Sequence, residues 1–249
     1  MNGADARDYL MKRYLIFTYS LVCYATFLGT FLYAIWFVLK MDAMPSALGA
    51  PLGKRLVVDA ALLMVFALQH SIMARQWFKR AWTRIVPGAA ERSTYVLCAN
   101  LALLLLIHYW QPLPGLVWKV ENRIGVVLLQ GLALLGWLIV VISTFLIDHF
   151  ELFGVKQAWC NLTGAKFRSA GFTTPGPYKF VRHPLYAGFI IAFWGAPTMT
   201  AGHLFFAVMT TAYVLVAIPL EERDLTAILG EQYRGYQRSV SMLTPFPRK

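Results

Sequence analysis

Long uncharged runs alternate with short charged segments along this chain. Windows at 14–39, 56–74, 94–109, 124–147, 185–200 and 203–219 are apolar and almost free of charge. Runs near 18 residues are the length a helix needs to cross a hydrocarbon core of ~30 Å at 1.5 Å per residue. The third, fifth and sixth windows are short by that measure. The pattern therefore predicts an all-α, polytopic membrane bundle of five to six spans, one of them tilted, re-entrant or only partly spanning.

Two segments break the apolar pattern. The loop 148–184 carries Gly154, Gly164, Gly171, Pro175, Gly176 and Pro177, so turns punctuate it. Its aromatic residues, Phe150, Phe153, Trp159, Phe167, Phe172 and Tyr178, favour an ordered lid or pocket wall over a disordered linker. After Pro219 the sequence becomes mixed in charge. Leu225, Leu229, Tyr233 and Tyr236 then fall on one helical face, and Pro245 and Pro247 end the tail. This predicts a cytoplasmic amphipathic helix behind a helical hairpin built from the last two windows. Two parts follow within one integrated domain: an N-terminal transmembrane bundle (1–147) that holds the acceptor pocket, and a C-terminal part (148–249) of loop, hairpin and tail helix.

Composition sharpens the picture. Apolar types make up 58% and charged types 14% of the 249 residues, and the mean hydropathy is +0.55. The net charge of +11 would suit a nucleic-acid partner, but its distribution has a simpler cause. With the N-terminus placed in the cytoplasm, 18 of the 23 Lys and Arg fall on the cytoplasmic side; only Lys40, Lys54, Arg55, Lys119 and Arg123 fall opposite. That asymmetry follows the positive-inside rule, which anionic lipid at the cytoplasmic leaflet reinforces. Both termini are expected in the cytoplasm and membrane lipids as neighbours, with no nucleic acid and no obligate protein partner. The first apolar run lacks a small-residue cleavage site and reads as a retained helix. Cys23, Cys98 and Cys160 have no metal-ligand spacing, and no metal is expected.

The polar residues gather at span ends. Arg182-His183-Pro184 precedes the fifth window, where proline suits a first helical turn and free N–H groups attract an anionic group. Glu221-Glu222 returns to the same face after the hairpin and can neutralise a cationic ligand or accept from ribose hydroxyls. Tyr233 and Tyr236 can cover an adenine or a sulfonium by cation–π attraction. On the N-terminal part, Gln69-His70-Ser71 ends the second window, and Asp148-His149-Phe150-Glu151 follows the fourth on the same predicted face. Ionisable groups at such positions are functional candidates. Each of these also has a plain structural reading, as an anchor, a solvated pair or helix packing.

The ordered set Gly176-Pro177-Tyr178, Arg182-His183-Pro184-Leu185-Tyr186-Ala187-Gly188, Glu221-Glu222 and Tyr233 resembles the C-terminal part of the isoprenylcysteine carboxyl methyltransferase-like membrane methyltransferases. The resemblance implies an S-adenosyl-L-methionine site formed by Tyr178, Arg182, His183, Tyr186, Gly188, Glu221, Glu222 and Tyr233. The stretches Gln69–Arg75 and Asp148–Gly154 are similar to those of bacterial methanethiol S-methyltransferases, which extends the likeness over most of the chain. It implies a bacterial inner-membrane enzyme that methylates a small volatile thiol, methanethiol, to dimethyl sulfide. His70, Asp148 and His149 are then the expected catalytic residues, one histidine taking the thiol proton with Asp148 holding it. An isoprenylcysteine carboxylate or a phospholipid amine as acceptor, and a membrane steroid reductase-like NADPH enzyme, are the alternative activities. A transporter would place charges along the middle of its spans, whereas here they sit at span ends.

Overall fold

In the computed structural model, which describes residues 3–44, 50–169 and 171–245, ten helices and two short strands follow one another. Pro247, expected to help end the tail, and the basic Arg248 and Lys249 lie outside the described residues. Five helices are long and apolar enough to cross a membrane: α1 (Gly3–Leu39), α2 (Leu52–Ala74), α4 (Gly88–Tyr109), α5 (Arg123–Ile147) and α9 (Ala201–Leu229). Short helices α3 (Gln76–Trp82), α6 (His149–Leu152), α7 (Val155–Thr163), α8 (Pro184–Trp194) and α10 (Glu231–Ser239) connect or follow them. The chain is an integral membrane protein. Leu128, Leu134, Leu138 and Phe145 of α5 and Leu32 of α1 are exposed, as lipid-facing side chains are.

The expected partly spanning window is the fifth: α8 has 11 residues, so it rises only about 16 Å, half a bilayer core. The chain then turns through Gly195–Pro197 into strand β2 (Thr198–Thr200), which pairs antiparallel with β1 (Leu116–Lys119). Pro219 does not end the last span. It sits inside α9, which continues to Leu229. One proline removes one backbone donor, and membrane helices accommodate that locally. The break falls at Gly230, whose φ of +59° suits glycine, so the apolar stripe of the tail is divided between α9 and α10.

The described chain divides into two compact units. The first gathers residues 1–34, 59–110 and 148–170. Within it α1 and α4 are joined by hydroxyls: Tyr19 donates to Thr94 at 3.0 Å and Ser93 to Ser20 at 2.8 Å. Its core is Met73, Tyr95, Val96 and Phe153, with Tyr24, Phe27, Phe78 and Leu152 packed around them.

The second unit gathers residues 35–58, 111–147 and 171–249. Its spine is the seam between α5 and α8, where small residues let two backbones meet. A Cβ added to Gly136 would lie 2.5 Å from Ala192 N, and one on Gly188 2.7 Å from Gly136 O. Helix α9 is tied to α8 by Trp194 Nε1 donating to Thr211 Oγ1 at 3.0 Å, and by His203 Nε2 at 2.8 Å from Phe193 O.

Candidate functional site

Pro184 starts α8, and His183 before it is the N-cap. That start holds Arg182 and His183 at a fixed point of the second unit, facing the end of α9. Glu222 Oε1 accepts from Arg182 Nε at 2.6 Å and lies 3.0 Å from His183 Nε2; its Oε2 accepts from Gln237 Nε2 at 2.9 Å. Arg182 Nη1 donates to the Gln237 carbonyl at 3.1 Å and also to that of Val240. Backbone bonds extend the knot: Arg182 N–H to Ser241 O at 2.8 Å and His183 N–H to Met242 O at 3.1 Å. Arg182 is only 5% exposed. A guanidinium so buried needs a carboxylate and carbonyls around it, and here it has both.

Glu221, one residue earlier, is differently placed. Its Oε2 accepts from Tyr186 Oη at 2.9 Å, and among the described residues no other hydrogen bond or ion pair reaches this carboxylate. Near it the Tyr178 hydroxyl and that of Ser143, a fully buried residue of α5, lie against each other, and among the described residues neither completes a hydrogen bond. The two lie close enough that Ser143 offsets part of the upward push that burial gives the Tyr178 phenol, and the Glu221 charge adds to that push. Buried hydroxyls left open are rare in proteins, and a polar ligand is one way to satisfy them.

Aromatic residues close the cluster. Tyr233 is buried, and its ring centroid lies 5.9 Å from that of Tyr236 and 5.8 Å from that of Phe172. Tyr236 Oη donates to the Tyr178 carbonyl. Burial raises the phenols of Tyr233 and Tyr236, the latter to about 12, so both remain neutral donors. An open cleft of about 470 Å³ runs beside Glu222 and Gln237, between Pro219 and Arg234. Gly188 belongs to the α5–α8 seam, where its missing side chain permits the close approach.

In the first unit, Tyr95 Oη stands 2.9 Å from His70 Nε2 and 3.0 Å from Nδ1. Tyr24 Oη lies 2.9 Å from His149 Nε2. Both histidines thus face a tyrosine, and both tyrosines pack in one apolar cluster, as do Met73 and Phe153. Asp148 caps α6: its Oδ1 accepts from Glu151 N–H at 3.0 Å and its Oδ2 from Lys156. Among the described residues it is the one non-glycine with a positive φ, 143°, a strained conformation that marks a constrained corner. Burial alone would raise the Asp148 carboxyl, but Lys156 and the Glu151 N–H hold it below the usual carboxylate range. Burial lowers the His149 imidazole, against the charge of Asp148, and so favours its neutral form.

The structure thus brings Arg182, His183 and Glu222 together, joins Tyr186 to Glu221, and sets Tyr178 and Tyr233 beside them. It gathers His70 and His149 at one aromatic cluster. Sequence reading missed Ser143, Gln237, Tyr24 and Tyr95. Ser143-Thr144, a polar pair inside the most apolar of the long helices, was the available signal for the first. Among the described residues no group of three His, Cys, Asp or Glu side chains is placed to hold a metal ion.

Comparison with known proteins adds a separate line. A family model described as phospholipid methyltransferase matches residues 126–232. The chain is 51% identical over 242 residues to methanethiol S-methyltransferase of Mycobacterium tuberculosis (strain ATCC 25618 / H37Rv), covering 96% of this chain and 99% of that protein. It is 47% identical to methanethiol S-methyltransferase 1 of Bradyrhizobium diazoefficiens, covering 99% and 87%. With the enzyme of that name from Crocosphaera subtropica the identity is 46%, covering 95% and 94%. No solved structure matches.

Proposed function

The chain belongs to the methanethiol S-methyltransferase family of membrane methyltransferases, and from that membership we propose that it methylates methanethiol to dimethyl sulfide with S-adenosyl-L-methionine as the donor. The observation that carries the donor assignment is the pair of buried hydroxyls of Tyr178 and Ser143, which lie against each other and complete no hydrogen bond among the described residues, beside the half-committed carboxylate of Glu221. A donor with an ammonium, a sulfonium and ribose hydroxyls suits such a set. Glu221 and Tyr186 would meet its cationic or hydroxyl groups, Tyr178 and Ser143 its polar atoms, and Tyr233 an aromatic or sulfonium face. Arg182, His183 and Glu222 hold the surrounding wall through their knot to residues 237–242, leaving Arg182 Nη2 for a ligand carboxylate.

When bound, the donor supplies an electrophilic methyl on a sulfonium. The thiolate pair forms the new S–C bond, the sulfonium S–C bond breaks with its pair staying on the departing sulfur, and the thiol proton is released. His70 and His149 are the proton-accepting candidates; Asp148 fixes the α6 corner that carries His149. The apolar cluster around both histidines suits a small apolar thiol. The charge distribution supports placing both termini on the cytoplasmic side of a bacterial inner membrane, where methanethiol and its product pass through lipid.

The test is headspace gas chromatography of the purified protein in lipid nanodiscs, given S-adenosyl-L-methionine and methanethiol. Dimethyl sulfide is expected in equal amount to the demethylated donor, and is lost with Glu221→Gln. Donor binding without dimethyl sulfide would move the acceptor to a lipid amine or a prenylcysteine.

A further inference from the structure

We propose that Arg92 is the cation that holds the acceptor sulfur as a thiolate, with Tyr95 and His70 completing the cradle. This rests on the thiol-methylation reading above. The thiolate is the nucleophile, yet even a cysteine thiol titrates near 8.5 and a simple alkyl thiol higher, so an apolar pocket alone would keep it protonated. A positive charge must stand near the sulfur.

Partly buried cations of the first unit differ in what neutralises them; Arg75 donates to the Ser71 carbonyl at 3.2 Å beside α3. Lys156 lies between Asp148 and Glu151, and two carboxylates cancel its charge. Arg13 donates to the Asn161 carbonyl at the far end of α7. Arg92 has only neutral partners. Its Nε donates to the Leu152 carbonyl at 2.7 Å, and its guanidinium carbon stands 4.8 Å from the Tyr95 ring centroid. Its Nη1 and Nη2 make no hydrogen bond or ion pair with any described residue. It is thus a half-buried cation fixed along one edge and one face, with two donor groups open and no counter-charge.

Its neighbours suit a small anionic sulfur. Tyr95, buried under Arg92, carries the hydroxyl that meets His70, and the His70 ring stacks on Phe66 with centroids 5.4 Å apart. Met73, Val96 and Phe153 supply the apolar floor. A thiolate here gains a charge-assisted hydrogen bond and a phenol donor, and its methyl group lies against apolar side chains.

The inference is tested by changing the acidity of the acceptor. Arg92→Gln and Arg92→Lys are compared on methanethiol and on trifluoroethanethiol, whose fluorines acidify the thiol. Arg92→Gln is expected to lower kcat/KM by about 10²-fold on methanethiol, and by less than about tenfold on the fluorinated thiol, which ionises without help. Binding of labelled S-adenosyl-L-methionine stays unchanged, and Arg92→Lys recovers much of the loss. Tyr95→Phe keeps the ring under the guanidinium and carries the test should Arg92→Gln not fold; it is expected to show a smaller loss, again selective for methanethiol. Equal losses on both thiols would reduce Arg92 to a structural tie and overturn the proposal. A wild-type protein inactive on both thiols while binding the donor would instead overturn the thiol reading itself.

Discussion

The two polar clusters of this protein solve opposite problems. Around Arg182 and Glu222 the second unit buries formal charges and satisfies them almost completely with other protein groups. Around His70 and His149 the first unit packs imidazoles among aromatic rings, and its cation Arg92 makes no ion pair with a described residue. An ionic knot of the first kind makes a rigid wall for a charged ligand, because removing any member strands the others. An aromatic box with a cation at its edge is the environment the proposed thiol acceptor would need, as the ionic wall is for the proposed sulfonium donor.

The comparison breaks most sharply at Glu222. Glu222→Ala leaves the Arg182 charge buried and unpaired, a loss of about 3–5 kcal/mol. A large drop in unfolding temperature together with lost donor binding is the expected result; a stable variant would show that the knot is dispensable. Next is the seam. Gly136→Leu forces side-chain atoms where the α8 backbone already lies, and overpacking of this kind costs about 1–3 kcal/mol. Lowered stability in nanodiscs should accompany reduced donor binding, since α8 carries Tyr186 and follows Arg182.

Ser143→Ala is subtler and more diagnostic. Among the described residues the Oγ completes no hydrogen bond, though it lies against the Tyr178 hydroxyl, so unfolding temperature should change little, while donor affinity falls by the worth of one hydrogen bond, about 0.5–1.5 kcal/mol or roughly two- to tenfold. A simultaneous fall in stability would mean that the hydroxyl serves the fold instead.

The smallest effect is that of pH. Burial lowers His149, so the unfolded chain binds its proton more readily than the folded one. Stability should therefore decline as pH falls below about 6.5. Asp148, depressed in the folded state, loses its contribution further down, as pH falls from about 4 through its folded value. Thermal unfolding of wild type and His149→Asn between pH 7.5 and 5 checks the first part. The slope should flatten in the variant, and an identical slope would assign the dependence elsewhere.

How much of this was legible beforehand follows from the physics of each feature. A bilayer demands long apolar runs, so the windows behind α1, α2, α4 and α5 stood out, and helix ends differed mainly where polar turns such as 88–93 precede the apolar run. Strands of three and four residues have no hydropathy signature, so the β1–β2 pair was invisible. Pro219 misled because its local penalty is real while its surroundings absorb it. In the sites, residues within one motif, such as Arg182, His183 and Tyr186, could be read together. Ser143, Tyr95, Arg92 and Tyr24 enter their clusters through partners 25 to 125 positions away, which no single pattern along the chain reveals.

The knot around Arg182 also sets an order of events in synthesis. Every long helix of the protein, from α1 to α9, leaves the ribosome before residues 237–242, yet those residues supply the carbonyls that close around Arg182 and His183. Membrane insertion and assembly of this wall are therefore separate steps. A chain ending at residue 236 would carry every long helix and yet lack the carbonyls that close around Arg182 and His183.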